Sequence, residues 1–159
     1  MKTLIIYGTK HGCTEKCAKI LAEKLTGKVE LYNLKEKKNL DITLYDKVII
    51  GGSIYIGKIR KEVSQFSMEN LNVLKDKKVG LYICGMHEDE VVEKQLNDAF
   101  PQELIEKAVA KESFGGEFII KKMNFLERLI VKKVAKIDKD VSNISDEKID
   151  NFAKVMNRV

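Results

Sequence analysis

Short apolar runs alternate with helical periodicity from one end of this chain to the other, and that alternation restricts the fold more than any other feature. Strand patterns fall at 2–7, 29–34, 47–52, 78–84 and 109–118, the last broken by Gly115-Gly116, which marks a bend or bulge. Helical spacing is predicted at 14–25, within 58–69 and within 88–100, and Pro101 opens a further short turn. The last third reads as two helices, 124–137 and 145–159, the second with Ile149, Phe152, Ala153 and Met156 along one face. A chain that switches period in this way builds a parallel sheet covered on both sides. The continuous apolar runs Leu4-Ile5-Ile6-Tyr7 and Val48-Ile49-Ile50 belong at the centre of that sheet, while the more polar second strand belongs near an edge. The expected architecture is therefore a single α/β domain, a three-layer sandwich with a five-stranded parallel sheet in the order 2-1-3-4-5.

In such a sheet ligands bind outside the C-terminal ends of the strands, where the strand order reverses between strands one and three. Three segments lie there. The first is the loop Gly8-Thr9-Lys10-His11-Gly12-Cys13-Thr14, in which a strand turns directly into a helix. The unpaired N–H groups and the dipole of that helix suit an anion, and the Thr9 and Thr14 hydroxyls and the small Gly12 suit a phosphate. The second is Gly51-Gly52-Ser53-Ile54-Tyr55-Ile56-Gly57, with an aromatic side chain beside glycines. The third is Cys84-Gly85-Met86-His87. Together they describe a cradle for a phosphorylated, flat aromatic cofactor. Tyr55 is a candidate to stack on the ring, and His87 is either an exposed loop histidine or a group at the ring edge.

Competing phosphate motifs are missing. The chain has no Gly-x-x-x-x-Gly-Lys-Ser/Thr loop and no Gly-x-Gly-x-x-Gly after its first strand. A phosphatase loop with Cys13 as nucleophile would need an arginine where Lys19 stands. Composition narrows the class further. The charge of +5 is carried by scattered lysines, without a nucleic-acid-binding motif or an interleaved aromatic–basic face, so no nucleic-acid partner is expected. Three cysteines make no disulfide framework. His11, Cys13, Cys17, Cys84 and His87 lack zinc-ligand spacing, so no metal site is expected, and Cys17 reads as helix core. The absence of a secretory pattern at the start and of a long apolar span leads to a cytoplasmic expectation.

The residues quoted above carry a resemblance. Thr9-Lys10-His11-Gly12-Cys13-Thr14 is similar to the Ser/Thr-x-Thr-Gly-x-Thr phosphate loop of flavodoxin-like FMN proteins, departing from the usual residues at His11 and Cys13. The segment from Tyr45-Asp46-Lys47 through Ser53-Ile54-Tyr55-Ile56-Gly57, with Phe114-Gly115-Gly116 and Asn124-Phe125-Leu126-Glu127-Arg128-Leu129-Ile130, resembles the branch that includes menaquinone-dependent protoporphyrinogen dehydrogenase. The resemblance spans essentially the whole chain. It implies a noncovalently bound FMN, which would be the reactive centre, so that no side chain is expected to act as catalyst. It also implies that a backbone group of Ile56 or Gly57 meets the flavin ring. The readings that follow are an electron-transfer protein, an FMN-dependent dehydrogenase passing electrons to a quinone, and a flavin-free interaction module of the same fold. The corresponding partners are a redox protein or a quinone.

One segment is not required by the fold. Over 121–139 the positive Lys121, Lys122, Arg128, Lys132, Lys133, Lys136 and Lys139 accompany Phe125, Leu126, Leu129, Ile130, Val131, Val134 and Ile137. Such a helix either covers the sheet with one face solvated or offers a surface to anionic lipid or an acidic partner, which would place the protein peripherally at the inner face of a membrane.

Overall fold

The computed structural model describes residues 1–36, 38–87, 90–135 and 139–159. Five parallel strands form the central sheet: β1 (Lys2–Gly8), β2 (Lys28–Asn33), β3 (Lys47–Tyr55), β5 (Lys78–Cys84) and β6 (Ala110–Ser113), ordered β2-β1-β3-β5-β6. The order is the expected one once the two-residue β4 (Lys58–Ile59), a hairpin partner of β3, is set aside. Helices α1 (Cys13–Lys24) and α7 (Asp146–Asn157) cover one face. The other carries α2 (Lys61–Glu69), α3 (Leu71–Leu74), α4 (Glu90–Ala99) and α5 (Gln102–Lys107).

Strand alternation explains why both faces are dry. Leu4, Ile6, Val48, Ile50, Leu81 and Ile83 point to one layer, where they meet Val63, Leu74, Phe100 and Leu104. Ile5, Tyr7, Ile49, Tyr82 and Cys84 point to the other, against Cys17, Leu21, Ile149, Phe152 and Met156. A strand buried on both sides has no polar face, which is why these runs are continuously apolar. At the edge, β2 carries no buried residue, and Leu31 is exposed. The second layer is anchored by aromatic packing: Tyr82 stacks on Phe114 at 4.6 Å, and Phe152 meets both rings edge-on. The Tyr82 hydroxyl donates to the Thr14 carbonyl at 3.0 Å, tying β5 to the first turn of α1.

The fifth strand region departs from a single strand. β6 ends at Ser113, and Gly115 takes φ +85°, a conformation open to glycine because it lacks a Cβ. The chain then leaves the sheet in a strap closed at its base by a two-stranded ribbon, β7 (Glu117–Phe118) with antiparallel β8 (Val141–Ser142). Base hydrogen bonds run from Gly85 N–H to the Gly115 carbonyl at 3.0 Å and from Asn143 N–H to the Gly116 carbonyl at 2.7 Å. Within the strap lie α6 (Phe125–Ile130) and a π-helical turn, Val131–Ala135. The long helix expected over 124–137 is thus a short α-helix that widens after one and a half turns; Lys136 and Ile137 lie outside the described residues. No helix among the described residues is long and apolar enough to cross a membrane.

Candidate functional site

The C-terminal ends of β1, β3 and β5 open into a cleft. Its first wall is the loop between β1 and α1. Gly12 caps α1 in a left-handed conformation, φ +93°, and offers no side chain to the helix N-terminus. The first-turn N–H groups consequently have no side-chain cap, as an anion site requires. Thr9 shapes the loop by accepting the Gly12 N–H at 2.9 Å on its hydroxyl. Cations gather round it. Lys10 Nζ lies 3.8 Å above the centre of the Tyr55 ring, and the Lys122 ammonium stands 3.4 Å from where a Cβ on Gly12 would be.

Two buried hydroxyls in this region have no hydrogen-bond partner among the described residues, Thr14 Oγ1 and Ser53 Oγ. Buried hydroxyls are seldom left unpaired, since each costs about 1–3 kcal/mol. Thr14 stands in the first turn of α1 and Ser53 near the C-terminal end of β3, on either side of the point where a polar ligand would enter, so the donor set suits a phosphorylated ligand.

Opposite the loop the cleft is closed by the strap. Gly116, Glu117, Phe118, Met123, Glu127 and Val131 line it. Glu127 is almost wholly buried, and its Oε2 lies 3.0 Å from Lys10 Nζ and 2.8 Å from His11 Nε2. Its other oxygen accepts the Asn124 N–H, while Asn124 Oδ1 accepts the Glu127 N–H: a reciprocal capping box that starts α6. Burial raises the Glu127 carboxyl, but Lys10, the Asn124 backbone and His11 together outweigh it and hold the pKa below the ordinary value. The cleft floor is thiol-rich. Hydrogen bonds from Cys17 and Cys84, with the Glu117 backbone and Lys16, draw the Cys13 thiol well down despite burial, whereas Cys17 and Cys84 are pushed up.

A sequence model described as "Flavodoxin domain" matches residues 4–145. The chain belongs to the flavodoxin domain family. Solved flavodoxins share its fold at low identity. Oxidised flavodoxin 2 from Bacillus cereus is 19% identical with a TM-score of 0.63, each chain covering 99% of the other. A short-chain flavodoxin associated with a non-canonical PDU bacterial microcompartment is 16% identical with a TM-score of 0.64, covering 99% of this chain and 97% of its own. A Fusobacterium nucleatum flavodoxin bound to flavin mononucleotide is 15% identical with a TM-score of 0.55, over 99% and 97%. No curated protein matches the chain in sequence.

On this flavodoxin scaffold, the residues expected at the site separate into three groups. Thr9, Lys10, His11, Cys13, Ser53, Ile54, Tyr55, Cys84, Gly85 and Met86 line the cleft. Gly12 and Thr14 shape its first wall from behind. Ile56, Gly57 and His87 do not line it and are exposed. Ile56 and Gly57 are the two central residues of the β3–β4 hairpin, both with positive φ (49° and 75°), as a tight primed turn requires. The cleft residues not anticipated individually are those of the strap. Their signal was present in Phe114-Gly115-Gly116 and Asn124-Phe125-Leu126-Glu127, but nothing in the spacing shows that a chain leaving the sheet at Gly115 folds back over the ends of β1 and β5.

Proposed function

We propose that the cleft binds FMN noncovalently and that the protein works in electron transfer through it. The observation that carries this reading is the pair of buried hydroxyls without a partner among the described residues, Thr14 Oγ1 in the first turn of α1 and Ser53 Oγ near the end of β3, in a flavodoxin-family domain. The likeness to a flavodoxin bound to flavin mononucleotide supports it. The β1–α1 loop would hold the phosphate with its backbone N–H groups, Thr9 and Thr14, with Lys10 and Lys122 adding positive charge. Ser53, Tyr55, Gly85 and Met86 would border the ring, while Phe118, Met123 and Val131 of the strap exclude water from one side. The bound flavin supplies one- and two-electron chemistry; the protein supplies anchoring, a dry wall and local charge. Glu127 pairs with Lys10 and meets His11 Nε2 beside the loop, so its carboxylate governs how much of the Lys10 charge is available to an incoming phosphate.

Titrating the purified chain with FMN tests this directly. One FMN per chain with a Kd in the micromolar range or tighter is expected, read as quenching of flavin fluorescence. A protein that stays colourless and takes up no flavin would leave the flavin-free module as the reading.

A second reading, quinone-linked dehydrogenation by a porphyrinogen-dehydrogenase-like enzyme at a membrane surface, is favoured by one feature. Phe125, Leu126 and Leu129 of α6 are 77%, 65% and 41% exposed, and the exposed Lys121, Lys122, Arg128, Lys132 and Lys133 neighbour them in sequence. Apolar side chains interspersed with cations suit the surface of an anionic bilayer. Flotation with anionic vesicles, and protoporphyrinogen oxidation with a soluble menaquinone analogue, separate it from a carrier. A carrier is reduced rapidly by a flavodoxin reductase and does neither.

A further inference from the structure

Three thiols converge under the cleft, and neither the fold nor the flavin reading requires them. Cys13 is the first residue of α1, Cys17 stands one turn further along the same face, and Cys84 is the last residue of β5. All three are free, and their sulfurs lie within 4.8 Å of one another, with Cys17 and Cys84 3.6 Å apart. Cys17 is wholly buried. Cys13 and Cys84 reach the floor of the cleft, which gives the cluster a way in.

The spacing is that of a coordination shell. Sulfurs held about 2.3 Å from a common ion lie ~4.0 Å apart in a trigonal plane and ~3.8 Å apart on a tetrahedral edge. The observed separations bracket both, so closing on an ion asks for sulfur shifts of under about 1 Å on two rigid elements. The ligand set is purely soft, which selects thiophilic ions over magnesium or calcium. No carboxylate or imidazole among the described residues joins the cluster as a fourth ligand, which disfavours a closed tetrahedral zinc site. The charge of bound thiolates is offset by the N-terminus of the twelve-residue α1, at which Cys13 stands, and by Lys16 one turn on.

We propose that Cys13, Cys17 and Cys84 form a three-thiolate site for one soft monovalent ion of the Cu(I) class, entered from the cleft past Cys13. Binding exchanges thiol protons for the metal: each S–H that becomes a ligand releases its proton to solvent, and no electron is transferred. The site does not rest on the flavin assignment, because its ligands are side-chain sulfurs, whereas the phosphate is read to be held by backbone N–H groups and the Thr9 and Thr14 hydroxyls.

The test uses the full, reduced chain under anaerobic conditions, with and without FMN. Cu(I) is supplied as its coloured bicinchoninate complex. One Cu(I) withdrawn per chain is expected, with three sulfurs at about 2.3 Å by X-ray absorption. Cys13→Ser and Cys84→Ala should each weaken uptake by more than the roughly 10–100-fold that outer-shell changes produce. Circular dichroism checks that they fold. Should a core variant fail that check, alkylation of the unmodified native chain decides: Cys13 should be labelled by iodoacetamide without Cu(I) and protected with it. Failure to withdraw Cu(I), uptake undiminished in a folded cysteine variant, or unchanged Cys13 labelling would each overturn the site. Absence of FMN binding with intact Cu(I) uptake would overturn the flavin reading alone.

Discussion

The cleft has two walls built on different physics. One is the ends of β1, β3 and β5, whose side chains are pinned by a core buried on both faces of the sheet. The other is the strap, held by a two-residue ribbon, a capping box, and the contacts of Glu127 with Lys10 and His11. The first wall cannot move without exposing the main core, whereas the second can open at the cost of those polar contacts and the burial of Met123 and Val131. A site with one fixed and one detachable wall can be precise toward its ligand and still admit it.

Two phenylalanines eleven residues apart give the sharpest contrast. Phe114 is 0% exposed in the aromatic stack with Tyr82 and Phe152, so Phe114→Ala should cost about 3–5 kcal/mol in urea unfolding. Phe125→Ala, at 77% exposure in the strap, should change stability by no more than about 0.5 kcal/mol. Equal costs would show that the strap is part of the core.

On the fixed wall, removing an unpartnered hydroxyl should separate binding from folding. Thr14→Ala should weaken FMN by roughly 10–100-fold, the worth of a hydrogen bond to a charged group, while leaving the unfolding midpoint unchanged or slightly raised. A fall in stability without a loss of affinity would place the hydroxyl in the structure and not in the site.

On the strap, Asn124→Ala removes the cap and should lower amide-exchange protection in α6 by about 1 kcal/mol, with protection in β1 and β5 unchanged. Acid should loosen the same element. Because the Glu127 pKa is lower in the folded chain than in the unfolded one, its stabilisation is complete above the unfolded value of about 4.3 and is lost as pH falls through the folded value. Proteolysis within 119–140 should rise in that acid window before the core unfolds, and Glu127→Gln should abolish the pH dependence.

The smallest effect concerns the hairpin beside the cleft. Ile56 is β-branched yet holds φ +49°, a conformation that asparagine accepts more readily. Ile56→Asn should stabilise the protein by about 1 kcal/mol or less in urea unfolding.

The sheet was legible because its evidence is local. Runs such as Leu4-Ile5-Ile6 and Val48-Ile49-Ile50 announce a strand buried on both faces, and the small loop from Gly8 to Thr14 marks a strand turning into a helix. The rule for ligand sites in parallel sheets then names three loops without any tertiary information. Ile56 and Gly57 show its limit: loop membership was readable, but the direction of a two-residue turn depends on backbone torsions that composition does not encode.

The sequence by itself determined the layer architecture and the strand order, since periodicity and chain connectivity act over a few residues at a time. Only the tertiary structure decided that the segment after Gly115 becomes the second wall, that Glu127 lies 116 residues from His11 in sequence and 2.8 Å in space, and that three unpatterned cysteines meet. Those contacts join residues far apart in the chain. They arise from how the sheet and α1 stack, and no local pattern records them.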